Sequence, residues 1–329
     1  MLKNNKDFKW GIIGTGGIAN AFANDINLLD GHKISAVLSR SKNTAQKFAA
    51  QLENCKSFVN IKSFVSNNDI NAIYIATPNT YHAEQTIISL KAKKPVLCEK
   101  PFAMNAQEVL RMIETSKTYD TTLLEGMWTR YLPHINTIKN IIKDGKIGKI
   151  ESIFACHGQN LRHSNNPRLW TKKLGGGALL DLGIYVVSFA HMILGKPKEI
   201  IAASTFTDRK VDGKTSMIFK YENDIIANLS CSMFDSQPNR AIISGDKGLI
   251  EIDPTFYAPT SFTLDIYGEK KLTFVNNYDG HGLREQAKEM QMCINQGLIE
   301  SPKLSHLESY AIMQSMDCVR KIVGLNFES

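Results

Sequence analysis

The chain has 329 residues, of which 43% are hydrophobic, and it carries a formal net charge of +7 at pH 7. This length is sufficient for two domains. No basic run is long enough to indicate a nucleic-acid-binding arm, no apolar stretch is long enough to predict a membrane span, and residues 1–7 lack a signal-peptide core. We therefore expect a cytoplasmic protein with no nucleic-acid or membrane partner. The positive charge favours anionic ligands, although solubility alone could explain it.

The cysteines are scattered and include no C-x-x-C pair. They are Cys55, Cys98, Cys156, Cys231, Cys293 and Cys318. This spacing predicts neither a disulfide framework nor a metal site, and a reducing compartment is the default.

Strand-like and helix-like segments alternate through residues 1–126. We expect strands at 8–13, 33–39, 57–59, 72–76, in the run into Lys100 and at 121–125, with helices up to Leu29 and at 44–52, 81–93 and 106–117. This alternation implies right-handed crossovers, so residues 1–126 are predicted to form an α/β domain with a doubly wound parallel sheet.

The first strand runs into a glycine turn, Gly14-Thr15-Gly16-Gly17-Ile18-Ala19, which matches G-x-G-x-x-A. In this pattern Gly14 allows the tight turn, Gly16 admits a pyrophosphate, and Ala19 takes the helix–strand packing position. The helix that follows offers free N–H groups to phosphates. Such a motif is weak alone, but its place between a strand and a helix predicts that Gly14, Gly16, Gly17 and Ile18 bind a dinucleotide.

The end of the second strand indicates which dinucleotide is bound. An enzyme that uses NAD usually has an acidic residue there, whereas this chain has Ser39-Arg40-Ser41. A guanidinium can pair with a 2′-phosphate, and serine hydroxyls can donate to it. We therefore predict that Ser39 and Arg40 bind NADP in preference to NAD. The alternative is that Arg40 lies unused on the surface.

The stretch Cys98-Glu99-Lys100-Pro101 ends the fifth predicted strand. A strand of an open α/β sheet delivers its next residues to the sheet edge where ligands bind, so Lys100 is expected to project into a cleft. Taken by itself, this stretch is more typical of a surface lysine at a strand end.

Three segments together resemble the glucose–fructose oxidoreductase, inositol dehydrogenase and rhizopine-catabolism (Gfo/Idh/MocA) family. They are the glycine turn, Ala76-Thr77-Pro78-Asn79-Thr80-Tyr81-His82 and Cys98-Glu99-Lys100-Pro101. The resemblance implies that Thr77, Asn79 and His82 lie along the cofactor. It also implies that Glu99 lies near the nicotinamide ribose, that Lys100 lies beside the nicotinamide and the substrate hydroxyl, and that the peptide before Pro101 is often cis. For His82 the alternative is a histidine at a helix start that bonds a nearby carbonyl.

The character of the sequence changes after Gly126. A helix is expected at 134–143, followed by strands at 150–159, 200–207, 215–221, 225–234, 240–244, 249–252, 262–267 and 271–274. Consecutive strands predict a mostly antiparallel sheet with helices on one face, so residues 127–329 form an α+β domain. The resemblance implies a homodimer or larger oligomer formed through the open face. The helical tail, residues 303–323, could pack on either domain.

One helix of this second domain follows Gly175-Gly176-Gly177. Its predicted buried stripe consists of Leu179, Leu182, Val186, Phe189 and Ile193. Asp181 and Tyr185 are spaced i and i+4, so they share a face and can meet one cleft. Against this, a core tyrosine with a satisfied hydroxyl is the commoner case.

The family often has D-x-x-x-H on this helix, and tyrosine replaces the histidine here. This variant, with the stretches 125–130 and 175–185, resembles the dihydrodiol dehydrogenase and aldose dehydrogenase branch.

The oxidation of an alcohol needs a base for the hydroxyl proton. A free phenol has a pKa near ~10, and a nearby ammonium stabilises the phenolate. We therefore expect Tyr185 to exchange the proton, Lys100 to tune it and bond the substrate oxygen, and Asp181 to orient the pair or the substrate. Weaker substrate-lining candidates are Trp128, Arg130, Arg168 and Trp170.

The sequence thus predicts an oxidoreductase that transfers a hydride between NADP and a secondary alcohol or hemiacetal, with a sugar, a polyol or a trans-dihydrodiol as substrate. One alternative is an enzyme that retains NADP and cycles it between two sugars. Another is a non-catalytic NADP-binding regulator.

Overall fold

The computed structural model describes residues 7–327, so residues 1–6 of the N-terminal segment discussed above lie outside the described part of the chain. The chain divides into two compact units. The first comprises the chain through Met127 together with Gly280–His306, and the second comprises Trp128–Asp279 and the chain from Leu307 onward.

Within residues 7–327 the strands, in chain order, are β1 (Phe8–Ile13), β2 (His32–Leu38), β3 (Lys56–Phe58), β4 (Ala72–Ile75), β5 (Val96–Glu99), β6 (Leu123–Gly126), β7 (Ile150–Gly158), β8 (Glu199–Phe206), β9 (Asp212–Lys220), β10 (Ile226–Ser232), β11 (Ala241–Gly245), β12 (Gly248–Ile252), β13 (Phe262–Ile266) and β14 (Leu272–Phe274). The α-helices of the same residues are α1 (Gly17–Ile26), α2 (Lys42–Ala49), α3 (Ile61–Val65), α4 (His82–Lys91), α5 (Ala106–Tyr119), α6 (Pro133–Lys143), α7 (Pro167–Trp170), α8 (Ile184–Leu194), α9 (Leu283–Asn295) and α10 (His306–Val323).

The first unit contains a six-stranded sheet in the order β3-β2-β1-β4-β5-β6, in which every neighbouring pair is parallel. Its central strands are buried on both faces; Ile12, Ile73 and Leu97, for example, are all fully buried. Helices therefore cover both sides, as parallel sheets require. The doubly wound α/β fold predicted from the alternation is confirmed.

The segment Gly280–His306 belongs to the first unit, although the change of composition after Gly126 placed it in the second. Helix α9 packs against α1, and the carboxylate of Asp25 accepts hydrogen bonds from the backbone N–H groups of His281 (3.0 Å) and Arg284 (3.1 Å). Local composition cannot reveal such a return, because the contacts that define it join residues far apart in the sequence.

The second unit contains an eight-stranded sheet in the order β14-β13-β12-β11-β7-β10-β9-β8. All its neighbouring strands are antiparallel except β7 and β10, which run parallel. The mostly antiparallel α+β prediction is confirmed. Helix α8 packs against β7 and β10 and closes one face of the sheet.

The helix after the three glycines differs from the prediction in two ways. It begins with a π-helical turn, Leu179–Gly183, before α8. Through His191 it is buried all round rather than along one stripe, since Leu180, Ile184 and Val187 are also fully buried, whereas Ile193 of the predicted stripe is only half-buried. The stretch Lys172–Leu194 contains an 18-residue window that is long and apolar enough to cross a membrane (mean hydropathy 1.7), but 78% of that window is buried inside the protein. A core helix of a soluble protein has the same composition.

Candidate active site

The glycine turn leaves open space at the start of α1. A Cβ on Gly14, whose φ is +112°, would lie 2.6 Å from the carbonyl oxygen of Ala76, whereas a Cβ on Gly16 or Gly17 would meet nothing within 4 Å. No side chain caps the helix at its N-cap residue, Gly16. The first N–H groups of α1 therefore face a space that a pyrophosphate can enter. These residues fit the phosphate groups of a dinucleotide.

The end of β2 places hydroxyl groups and a guanidinium beside this turn. The Ser39 hydroxyl lies 3.5 Å from that of Thr15 and 2.6 Å from that of Thr44. The Arg40 side chain is exposed, and its guanidinium carbon lies 5.9 Å from the ring centroid of Tyr81. The described residues at this strand end thus offer donors, and no carboxylate, to a ribose.

The segment after β4 is tied to the segment after β5 by His82. Its ring is fully buried, and its two nitrogens lie 2.9 Å from the carbonyl oxygen of Pro101 and 2.8 Å from that of Thr77. This is the carbonyl-bonding alternative considered for His82. The Thr77 hydroxyl donates to Gln85 at 2.7 Å, and Asn79 is 3% exposed. His82 therefore holds two backbone segments together.

Strand β5 ends in a buried carboxylate. Glu99 is 5% exposed and accepts a hydrogen bond of 2.5 Å from the Tyr74 hydroxyl and one of 3.2 Å from the Lys100 N–H. Burial raises the pKa of Glu99 to about 6. The Lys100–Pro101 peptide is cis, as the resemblance implied. Lys100 itself is partly exposed at the carboxyl edge of the sheet.

In the second unit the π-helical turn carries Asp181. Its two carboxylate oxygens each accept a 3.1 Å hydrogen bond from the guanidinium of Arg168, a two-bond pair with α7. The fully buried carboxylate of Asp212 fixes the start of this turn. It accepts hydrogen bonds from the Leu179 N–H (2.7 Å) and from the Thr215 hydroxyl (2.9 Å). Burial raises the pKa of Asp212 to about 6.

Tyr185 lies in an aromatic cluster. The indole N–H of Trp128 donates to its hydroxyl at 3.0 Å, and its ring centroid lies 4.6 Å from that of Tyr257 and 5.3 Å from that of His157. Tyr185 is 9% exposed. A donor to a phenolic oxygen stabilises the phenolate, so the arrangement suits a tyrosine that exchanges protons.

Two other members of this cluster, His157 and Tyr257, are not among the residues predicted from the sequence. The Gln159 side-chain amide joins them, at 3.1 Å from the His157 ring and 3.4 Å from the Tyr257 hydroxyl. His157 lies near the end of a strand and Tyr257 lies in a loop about a hundred residues later. The polar side chains of His157 and Gln159, at the end of a strand that is otherwise largely apolar, were the feature of the sequence that could have indicated a site there.

Two of the weaker substrate candidates, Arg130 and Trp170, make contacts within the second unit. Arg130 is 3% exposed, and its guanidinium bonds the Ser188 hydroxyl at 3.1 Å and pairs with Glu308. This buried pair fixes α10 to the rest of the unit. Trp170 donates to the carbonyl of Ser164 at 3.0 Å and packs against a cluster that contains Leu182. Trp128 and Arg168, by contrast, contact the two predicted catalytic residues of this unit.

Within residues 7–327, no group of three or more His, Cys, Asp and Glu side chains is arranged to hold a metal ion. The six cysteines are free thiols.

Comparison with known proteins identifies the family. The family described as "Oxidoreductase family, NAD-binding Rossmann fold" matches residues 8–127, and the GFO/IDH/MocA C-terminal domain matches residues 135–251. The chain is 32% identical to trans-1,2-dihydrobenzene-1,2-diol dehydrogenase of Mus musculus, with 97% of this chain and 98% of that protein covered. It is 30% identical to the Homo sapiens protein of the same name, with the same coverage.

Solved structures share the whole fold. A 3-ketoreductase from Actinomadura kijaniata, in complex with NADP and TDP-benzene, superposes with a TM-score of 0.86 at 22% identity, covering 96% of this chain and 98% of that one. An aldose–aldose oxidoreductase from Caulobacter crescentus gives 0.86 at 21% identity, covering 97% and 98%. Because its relatives reach 30% identity or more across almost its full length, the chain belongs to the GFO/IDH/MocA family and is an NAD(P)-dependent oxidoreductase.

Proposed function

We propose that this oxidoreductase uses NADP to interconvert a secondary alcohol or hemiacetal and its carbonyl product, with a sugar, a polyol or a trans-dihydrodiol as substrate. The observation that carries the proposal is the hydrogen bond of 3.0 Å from Trp128 to the Tyr185 hydroxyl. It positions a phenol and stabilises its anion, as removal of a hydroxyl proton requires. The curated relatives, named as diol dehydrogenases, support this substrate class.

The preference for NADP is argued from the end of β2. Arg40 is exposed beside the Ser39 and Thr44 hydroxyls, and a guanidinium with neighbouring hydroxyl donors suits a 2′-phosphate. Among the similar solved structures, the 3-ketoreductase is a complex with NADP and a levoglucosan dehydrogenase is a complex with NADH, so the choice for this chain depends on its own residues.

The proposed roles are assigned unit by unit. When bound, the nicotinamide exchanges a hydride with the substrate carbon. In the first unit, Lys100 bonds the substrate oxygen. In the second, Tyr185 takes or returns the hydroxyl proton, and the Asp181–Arg168 pair keeps the π-helical turn in place. Gly14, Gly16, Gly17 and Ile18 receive the pyrophosphate, and Thr77, Asn79 and Glu99 line the cofactor.

A substrate panel tests this function. A set of polyols, aldoses and trans-diols is incubated with either NADP or NAD, and the absorbance of the reduced cofactor is followed. We expect turnover of at least one substrate class, with a higher kcat/KM for NADP. Binding of NADP without turnover of any compound would support a regulator instead. NADP retained through purification and dialysis would support an enzyme that cycles its cofactor between two sugars.

We also propose that the enzyme forms a homodimer through the open face of the eight-stranded sheet. The register of β7, β10, β9 and β8 aligns Phe154, Asn228, Ile218 and Ile201 in one row. Its three apolar side chains, Phe154, Ile218 and Ile201, are 42%, 37% and 44% exposed. A row of exposed apolar side chains on a sheet face is typical of a subunit interface.

The substitution Ile218→Glu should halve the mass measured by light scattering, because it places a charge within this row. Leu272→Glu is the matched control, since Leu272 is also an exposed strand residue (52%) but lies on β14. A wild-type chain that is monomeric at micromolar concentration would contradict the proposal.

A further inference from the structure

A cleft of about 770 Å³ opens in the second unit, outside the residues of the site described above. One wall comes from the segment around α7, the other from the connection between β8 and β9, and Phe234 also lines it. None of the site predictions above accounts for this cleft, except that Trp170 is part of its wall.

The lining is cationic and aromatic. The guanidinium of Arg162 lies 4.2 Å from the Phe234 ring centroid, and its Nε donates to the Phe234 carbonyl oxygen at 3.0 Å. Arg209 belongs to the opposite wall. Among residues 7–327, neither arginine forms an ion pair with a carboxylate. Two guanidiniums thus face the cleft against the single carboxylate of Asp208.

The same wall is joined to Asp181. Trp170 is the last residue of α7, and Arg168, two residues earlier, makes the paired 3.1 Å hydrogen bonds to Asp181. Trp170 also packs against the cluster that includes Leu182 of the π-helical turn. A molecule in the cleft would therefore contact an element that is fixed to the proposed catalytic helix.

We propose that this cleft binds an anionic group of the substrate, a phosphate or a carboxylate, so that the preferred substrates are acidic sugars, polyols or diols. The proposal rests on the proposed function. Guanidinium groups bind both anions through paired hydrogen bonds. The fixed Nε contact of Arg162 leaves its terminal nitrogens for such a ligand, and Ser164 and Thr207 add hydroxyl groups to the lining. The aromatic walls suit the apolar faces of a ring.

Matched substrates test the proposal. Glucose, glucose 6-phosphate and glucuronate are compared with NADP as cofactor, together with any neutral substrate that the panel identifies. We expect kcat/KM to be higher for an acidic member than for its neutral counterpart, and the advantage to shrink as salt is added, because the cleft is open to solvent. The comparison of glucose 6-phosphate with glucuronate shows whether the cleft prefers a phosphate or a carboxylate.

Substitutions assign the effect to the cleft. Arg162→Gln and Arg209→Gln should each lower kcat/KM for the acidic substrate roughly tenfold, as expected for the loss of one charged hydrogen bond, and should leave a neutral substrate unchanged. Arg111→Gln is the control, since it removes the same charge from the exposed face of α5. Equal losses for acidic and neutral substrates, or no loss for either, would overturn the proposal.

A binding measurement separates this inference from the proposed function. Glucose 6-phosphate and glucuronate are titrated calorimetrically into the NADP-saturated protein, wild type and Arg162→Gln. Binding that weakens in the variant supports the cleft assignment even if no compound is turned over, which would count against the proposed function alone. Turnover of neutral compounds without binding of either anion would reject the cleft assignment and leave the proposed function in place.

Discussion

Tyr185 combines two properties that its place in the sequence does not reveal. Its ring is nearly buried between two other aromatic rings, and its hydroxyl accepts a hydrogen bond from Trp128. The spacing of Asp181 and Tyr185 predicted that they share a helix face. The indole donor could not be predicted, because Trp128 lies 57 residues earlier in the chain and only the fold brings it to the phenol.

The substitution Tyr185→Phe should lower kcat/KM by about 10²–10⁴-fold, since it removes the group proposed to exchange the proton. The affinity for NADP, measured by fluorescence titration, should not change. Trp128→Phe keeps an aromatic ring but removes the donor, so a smaller loss is expected for it. Wild-type turnover in Tyr185→Phe would exclude this tyrosine from the reaction.

Asp212 links folding stability to pH. Its pKa of about 6 in the folded protein lies above the ordinary value of 3.8 because the carboxyl is fully buried. The folded state therefore holds this proton more tightly than the unfolded state does. The resulting stability is fully present below about pH 4 and is lost as the pH rises through about 6.

The substitution Asp212→Asn should remove this pH dependence. The free energy of unfolding of the wild type, relative to the variant, should fall between pH 4 and pH 7 by on the order of 3 kcal/mol. Urea unfolding at several pH values measures it. The pKa of Glu99 is also raised to about 6. Because Glu99 is present in both proteins, its contribution cancels in the difference between their free energies of unfolding. A constant difference across this range would contradict the assignment.

At the scale of elements, the sequence predicted the strands and most of the helices of both units. The alternation of buried and exposed positions in β8 to β12 follows the period of two that identifies a half-buried strand. The helix that carries Asp181 and Tyr185 was harder to predict, because a helix that is buried all round has no stripe and a π-helical turn leaves no signal in a 3.6-residue period. Its start instead depends on Asp212, the first residue of β9, which lies 33 residues after Leu179.

Gly177 shows how tightly that start is packed. Its φ is +119°, and a Cβ there would lie 2.2 Å from a carboxylate oxygen of Asp212. Gly177→Ala should therefore destabilise the protein by roughly 2–4 kcal/mol, combining backbone strain with overpacking. Gly195→Ala is the matched control, because Gly195 has a φ of +74° but its Cβ would meet nothing within 4 Å. The backbone at Gly195 (φ +74°, ψ −153°) is one that essentially only glycine adopts, so we expect the control to cost about 1–3 kcal/mol in thermal or urea unfolding. Equal costs would show that Asp212 moves aside freely.

At the scale of the whole molecule, the chain passes between the units after Met127, after Asp279 and after His306. The first passage was predicted from the change of composition at Gly126. The passages after Asp279 and after His306 could not be predicted, because the sequence of a short amphipathic helix such as α9 does not indicate which surface its apolar side covers. Its place is fixed by contacts such as the hydrogen bond of 2.8 Å from the Thr122 hydroxyl to the Leu298 carbonyl.

A substitution at Asp25 tests how much this residue contributes to the packing of α9 in the first unit. Asp25 is 2% exposed at the end of α1 and accepts two backbone hydrogen bonds from the segment that begins α9. Asp25→Ala leaves those N–H groups without their acceptor and should cost about 1–3 kcal/mol in the free energy of unfolding. Asp30→Ala, at an exposed position a few residues later, should change it little. If the Asp25→Ala protein were as stable as the wild type, α9 would pack against α1 without needing the hydrogen bonds to Asp25.

The return of Gly280–His306 to the first unit also sets an order of events during translation. The nucleotide-binding sheet is complete once Gly126 has left the ribosome, yet α1 lacks its packing partner α9 until Asn295 has emerged. Domains generally fold as units in the order of their synthesis. In this protein the first unit cannot complete its packing until the entire antiparallel sheet of the second unit has been synthesised. The surface of α1 that α9 covers therefore stays exposed on the nascent chain for most of its elongation.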